Sequence, residues 1–395
     1  MKMKKIFPIL LSLILLVSCG NVPVRDVQAF IDETKAEVCP DRRVNIFDID
    51  YKQNGKVVTL EGEMNSANGL KSMVTALEEE GYTVANKVRL LPDKELRGKT
   101  YGVVNRSVAN IRVEPSARSE MATQAVLGVP LRVYKKHDKG DYYVQTPDGY
   151  LGWIEGRAFT AMTPSEFKNW RKSEKIIFLA DAGYVYSKPS TKSQIVSDIT
   201  AKSFLRELWR QGDFTKVVFP DFREGYVKTV QCMNFYEWLG NVKISPKSVV
   251  ELAHTYMGRP YLWGGTSTKM LDCSGFVRTV MFLHGIYLPR DASQQALVGK
   301  TVAEGNQELD KLKPGNLLFF GNYRDDGSER ITHVGIYIGD GKFIHEDGDV
   351  NILSFNPEDE NYSEYRYKMF IRAKDVINHI GEYGVQLIKD NPMFK

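Results

Sequence analysis

Tyr261-Leu-Trp-Gly-Gly265, followed by Asp272-Cys-Ser-Gly-Phe276, is the stretch on which the reading of this chain turns. His333 comes 60 residues after Cys273 and opens an alternating apolar run, and His345 follows 12 residues later. A thiol, an imidazole and a second polar ring in that order supply a nucleophile, a proton acceptor and a group that orients the acceptor. Beyond Gly275, Phe276, Val277, Val280 and Met281 recur at helical spacing, so Asp272 is expected to cap a helix whose first residue is Cys273. The partial positive charge at a helix N-terminus favours a thiolate, and the position therefore predicts a lowered thiol pKa.

The imidazoles fall on a predicted hairpin. Val334, Ile336 and Ile338 alternate with Gly335 and Tyr337, and Gly339-Asp-Gly341 turns the chain into Lys342-Phe-Ile-His345. With residues 339–341 as the loop, His345 faces Gly335 and lies diagonal to His333 on one face, within reach of a side-chain contact.

These blocks, with Leu288-Pro-Arg-Asp-Ala-Ser-Gln294, Leu312-Lys-Pro-Gly-Asn-Leu-Leu-Phe-Phe320 and His333-Val-Gly-Ile-Tyr337, occur in the order of the NlpC family of papain-like cysteine peptidases, which the chain resembles over most of residues 245–380. That resemblance implies a papain-like catalytic domain acting on bonds to D-glutamate in bacterial cell-wall peptides.

At 395 residues and 43% apolar content, the chain has room for several small packed domains. Lys2, Lys4 and Lys5 precede the apolar run Ile6 to Val17, a basic lead and a length that fit a secretory signal better than a membrane span. Its ending, Leu16-Val-Ser-Cys19, resembles a bacterial lipobox, which implies acylation of Cys19, removal of residues 1–18 and a membrane-anchored lipoprotein of the cell envelope, periplasmic or outer-membrane associated. Removal takes three lysines and no acids from 53 basic and 49 acidic residues, leaving 50 against 49. A nearly neutral chain gives no sign of a nucleic-acid partner.

Of the four cysteines, Cys19 is assigned to the lipid and Cys273 to chemistry. Export would permit a disulfide between Cys39 and Cys232, but both are read as small buried apolar residues. No Cys or His pair has zinc-ligand spacing, so neither a metal nor another cofactor is expected. The chain is read as a monomer.

Ahead of the catalytic region (243–395), three modules are expected, giving an α+β protein overall. Residues 22–95 read as a helix, two strands around Asn54-Gly55, a second helix from Gly69 to Glu80 and a strand from Tyr82 to Leu91, an order that resembles the small BON-like domains of envelope proteins. Pro115-Ser-Ala-Arg-Ser-Glu120 then recurs 74 residues later as Pro189-Ser-Thr-Lys-Ser-Gln194, and Gly140-Asp141 and Gly149-Tyr150 recur as Gly212-Asp213 and Gly225-Tyr226. The repeat resembles two bacterial SH3-like β-barrels, at 97–164 and 173–240.

Two such barrels joined to an NlpC-type domain resemble the γ-D-glutamyl-L-diamino acid endopeptidases that trim released wall peptides. By that resemblance the first barrel closes one end of the cleft, where Glu120 and Tyr150 hold the free amine of the substrate's N-terminal L-alanine. A carboxylate can pair with an ammonium, but an acylated N-terminus would leave it unpaired at a cost. The resemblance further assigns Cys273 as nucleophile, His333 as base then acid, His345 as orienting group, and the Tyr261 hydroxyl to an oxyanion hole beside the Cys273 N–H. Trp263 would wall the dipeptide. Asp272, Ser274 and the Arg290-Asp291 segment would contact the alanine amine or the D-glutamate α-carboxylate. Asp291 is followed by Ala292, a departure from the family pattern that places the loop's serine at Ser293.

Bland readings compete: Tyr261 and Trp263 as core aromatics, His137, His254, His284 and His379 as surface or packing residues, Glu358 to Glu360 as a solvated loop. An endopeptidase or amidase acting on intact wall would use the same Cys and His in an open cleft that lacks the Glu120 carboxylate. A noncatalytic envelope adaptor is expected to have lost Cys273 or His333, and this chain keeps both.

Overall fold

The computed structural model describes residues 25–395; the leader, residues 1–18, and Cys19 lie outside them. The N-terminal module starts with helix Val27–Val38, capped by Asp26, whose side chain accepts the Gln28 N–H. Strands Phe47–Asn54 and Val57–Met64 form a hairpin, and helix Ala67–Glu79 follows under a Ser66 cap. The single strand expected from Tyr82 to Leu91 is two pieces, Thr83–Asn86 and Arg89–Leu90, both parallel to Val57–Met64. The break has a local cause: the Asn86 side-chain oxygen accepts the Val88 N–H at 3.0 Å, an Asx turn that competes with the ladder. Val27, Phe30 and Ile31 pack on Leu70, Met73 and Leu77 and on the strand residues Val58, Leu60 and Met64.

Two seven-stranded sheets follow, between Tyr101 and Met162 and between Lys175 and Asn234. Numbered within each sheet, the strands neighbour one another in the same order, seventh-first-fourth-fifth-sixth-second-third. In each, the repeated Pro-Ser segment forms the turn between the second and third strands. The N-terminal module is fastened to the first of these sheets by an apolar cluster of Ile46, Leu91, Tyr134 and Leu151, with an ion pair between Glu63 and Lys135.

The C-terminal region is a six-stranded antiparallel sheet, in the spatial order 300–304, 370–375, 317–323, 329–339, 342–347, 349–354. Helix Cys273–Leu283 packs on one face, where Phe276, Val277 and Val280 meet Val334, Ile336 and Ile344. Phe320, Phe343, Phe355 and Phe370 fill the other face. Each of these buried aromatics contributes about 2–3 kcal/mol of burial free energy. Phe394, near the chain end, sits among Phe204 and Phe235 of the second barrel region and Phe282 and Tyr287 of the catalytic one, locking the modules together. Cys39 and Cys232 are both free, Cys39 buried and Cys232 half-buried.

Candidate active site

Cys273 is the first residue of its helix, and Asp272 caps it by accepting the Gly275 N–H at 2.7 Å. The other Asp272 oxygen accepts the Gly264 N–H at 2.9 Å, which ties the Trp-Gly-Gly segment to the helix start. Gly275 is required there: a Cβ would come within 2.0 Å of the Gly265 carbonyl oxygen. Beneath this cap lies a buried ion pair, with Asp272 and Arg290 side chains only 8% and 2% exposed. Arg290 also donates to Ser274 Oγ at 2.8 Å and to Thr123 Oγ1 at 2.9 Å. Arg290 and Ser274, both expected at the substrate, are thus joined to Asp272 in one buried network at the helix start.

The thiol also departs from expectation. Burial pushes the Cys273 pKa up to about 12, the Asp272 carboxylate adds to the rise, and the Val334 N–H, Arg290 and the Ser274 N–H only partly oppose it. The helix terminus is therefore outweighed by desolvation, which disfavours any charged form 9% exposed to solvent. A raised pKa favours the neutral thiol, so any reaction through this sulfur would need a base to take its proton.

Strand Glu329–Gly339, which packs on the Cys273 helix, carries an imidazole. The Val334 N–H, one residue past His333, points at the Cys273 sulfur. The hairpin pairs Gly335 with His345, and the two imidazoles meet at 2.8 Å between His333 Nε2 and His345 Nδ1. His333 Nδ1 is thus the ring nitrogen left to receive a thiol proton. In that tautomer His333 Nε2–H donates to His345 Nδ1, and His345 carries its proton on Nε2, which is buried without a hydrogen-bond partner. Burial holds both rings neutral at neutral pH: it lowers His333 well below the usual range, assisted by Arg366 and His345, and lowers His345 to about 4.

Tyr261 is half-buried, with Cys273, Asp272 and Glu346 nearby. Burial, then the Cys273, Asp272 and Glu346 acids, raise its pKa, so the hydroxyl stays protonated as a donor. Trp263 is 61% exposed, which overturns the reading of it as a core aromatic, and its indole N–H donates to Glu120 Oε1 at 2.8 Å. The contact exists because strand Met121–Val126 of the first barrel region docks on the catalytic segment 264–267. Gln124 Oε1 accepts the Thr266 and Ser267 N–H groups at 3.2 and 3.3 Å, and Thr266 Oγ1 donates to the Gln124 carbonyl at 2.9 Å. Gly264, at φ +79°, admits the Met121 carbonyl where a Cβ would stand 2.5 Å from its oxygen.

Farther along the cleft the Tyr150 hydroxyl donates to Asp291 Oδ2 at 3.0 Å. Arg43 Nη1, from the N-terminal module, donates to the same oxygen at 2.7 Å and to Ser293 Oγ at 2.9 Å. Sequence reasoning missed Thr123, Gln124, Arg43 and Glu346. The first three act across module boundaries, which no local pattern reveals; Glu346, adjacent to His345, is fully buried with both carboxylate oxygens unpartnered. Among the described residues no three His, Cys, Asp or Glu side chains converge as metal ligands would.

Comparison with known proteins accords with this geometry. Residues 258–372 match the NlpC/P60 family and residues 111–159 the bacterial dipeptidyl-peptidase Sh3 domain. Gamma-D-glutamyl-L-lysine dipeptidyl-peptidases of Bacillus cereus and Bacillus subtilis are 28% and 29% identical, over 58% and 50% of this chain and 67% and 60% of those proteins. A crystal structure of an NlpC/P60 family protein from Bacillus cereus shares the fold, with a TM-score of 0.60 over 70% of this chain and 99% of that one, at 21% identity. The chain therefore carries an NlpC/P60-family domain, joined to a bacterial dipeptidyl-peptidase SH3 domain that forms one wall of its cleft.

Proposed function

We propose that the protein is a cysteine endopeptidase that hydrolyses the bond between γ-D-glutamate and the following L-diamino acid in cell-wall peptides bearing a free N-terminal L-alanine. The observation that supports this reading is that Glu120 and Tyr150 of the first barrel region contact Trp263 and Asp291 of the catalytic region, which brings acidic groups against the segments expected to bind the substrate. Endopeptidase activity on wall peptides is supported by the names of the relatives.

The reaction balances with the residues in place. As the Cys273 sulfur attacks the γ-carbonyl carbon of D-glutamate, the thiol proton passes to His333 Nδ1. The oxyanion that forms takes hydrogen bonds from the Tyr261 hydroxyl and the Cys273 N–H. Collapse breaks the C–N bond, and His333 returns the proton to the departing amine of the diamino acid. Water then attacks the thioester, gives a proton to His333 and releases the L-alanyl-D-glutamate dipeptide with restoration of the thiol. His345 keeps the His333 ring in the required tautomer and orientation.

Acylation of Cys19 would hold the enzyme at a membrane of the cell envelope, where released wall peptides pass in turnover or recycling. The test of the central reaction is incubation of L-Ala-γ-D-Glu-L-Lys with the wild type and with Cys273→Ala, the products being identified by mass. Release of lysine and the dipeptide by the wild type alone is the expected result. Cleavage elsewhere in the peptide, or cleavage by the variant, contradicts the assignment.

A further inference from the structure

Neither family match reaches the N-terminal module, yet this module delivers a cation into the cleft. Residues 39–46 link helix Val27–Val38 to strand Phe47–Asn54 and lie across both other walls of the site. The Arg43 carbonyl accepts the Leu151 N–H at 2.8 Å, and the Val44 carbonyl accepts the Gln145 amide at 2.8 Å, so the linker is seated on the first barrel region. Asp41 Oδ2 accepts from the Gln294 amide at 2.7 Å, seating it on the catalytic region as well. Between these anchors Arg43 is held by Asp41 through Nε and Nη2, and only Nη1 reaches on to Asp291 and Ser293.

The consequence concerns the Tyr150 hydroxyl. Its single proton is given to Asp291 Oδ2, so its oxygen lone pairs are free to accept from another donor. Burial, then the Asp291 carboxylate, raise the Tyr150 pKa and keep the phenol protonated. A phenol that donates to Asp291 accepts from an ammonium; a phenol that rotates away presents a proton to it. We propose that Arg43 is a positioning residue of the peptidase cleft, fixing the Asp291 carboxylate and Ser293 so that Tyr150 presents its oxygen, together with Glu120, to the substrate's terminal ammonium. The inference rests on the free-amine reading given above. It makes the N-terminal module a third wall of the substrate site.

The test measures kcat and KM of the full chain on L-Ala-γ-D-Glu-L-Lys and on its N-acetylated form, for the wild type, Arg43→Met, Arg43→Lys and Glu63→Gln. Glu63→Gln loosens the Lys135 contact between the same modules without touching the cleft. For Arg43→Met, loss of a charge-assisted hydrogen bond is expected to raise KM for the free peptide about tenfold, with kcat within about twofold and the acetylated peptide unaffected. Arg43→Lys, which keeps the charge and one donor, is expected to recover part of the loss, and Glu63→Gln to behave as wild type. A change below twofold in Arg43→Met, an equal loss on both peptides, or the same loss in Glu63→Gln overturns the positioning role. Equal cleavage of the two peptides by the wild type overturns instead the free-amine reading beneath it.

Discussion

Replacing Glu346 with glutamine isolates a stability cost that the fold carries beside its active site. The side chain is 0% exposed and neither oxygen has a partner. Burial, followed by the Asp272, Asp347 and Asp349 carboxylates, raises its pKa from 4.5 to about 8. Between those values the folded protein retains a proton that the unfolded chain releases, so stability falls as pH rises through the window and the loss is complete above the folded pKa. At about 1.4 kcal/mol per pKa unit, the loss between pH 5 and pH 9 comes to about 4 kcal/mol. Glutamine is close in shape and cannot ionise, so Glu346→Gln escapes this loss, while the two proteins share every other titrating group. Urea unfolding of both, followed by circular dichroism at pH 5 and pH 9, reads the difference. The variant is expected to be nearly as stable as the wild type at pH 5 and more stable by a few kcal/mol at pH 9. A gap of the same size at both pH values would refute the assignment of an unpaired, protonated carboxyl at this position.

The buried Arg290–Asp272 pair predicts that Arg290→Met, which strands Asp272 without its partner, destabilises the protein by about 3–5 kcal/mol, with Arg290→Met/Asp272→Asn recovering much of the loss in a denaturation series. Because burial lowers the His333 pKa well below 6.5, the midpoint of the acid limb of kcat/KM is expected below 6.5, and a midpoint at 6.5 or above would contradict a buried neutral base. His345→Ala is expected to lower kcat by about 10²–10⁴-fold with little change in KM, since it removes the partner that orients His333 at 2.8 Å but no substrate contact. Gly275→Ala places a Cβ 2.0 Å from the Gly265 oxygen, so the soluble variant is expected to lose at least about 2 kcal/mol of stability and most activity, measured by thermal melting and peptide cleavage.

Chemistry held in short contiguous segments was legible before the structure. The cap at Asp272 and the apolar spacing after Gly275 mark the helix start, and His345 falls opposite Gly335 as expected, although the loop is 340–341 rather than 339–341 and a bulge at Ile338 makes up the difference. The 74-residue repeat has its counterpart in two sheets of identical strand order. What escaped was set by tertiary packing. The helix terminus pointed to an acidic thiol, but the solvent excluded by the surrounding fold decides the Cys273 pKa and drives it the other way. The network that joins Ser274 and Arg290 to Thr123 of another module has no local sequence signal. Arg43 stands in an irregular linker with no periodicity, 248 residues from the Asp291 it holds. Asn86 is a turn-forming residue within an otherwise strand-like pattern, and its side-chain bond to the Val88 N–H marks the interruption.

The measurement that bears most directly on the central claim is the ratio of kcat/KM for L-Ala-γ-D-Glu-L-Lys to that for its N-acetylated form, in the wild type and in Glu120→Gln. An acetylated substrate forfeits the ion pair with the cleft's acidic end, a charge-assisted contact of about 1.5–3 kcal/mol, so the wild-type ratio is expected to be about 10–100. Glu120→Gln should bring that ratio most of the way to one by weakening cleavage of the free peptide. A wild-type ratio near one, or a ratio untouched by Glu120→Gln, would contradict the account.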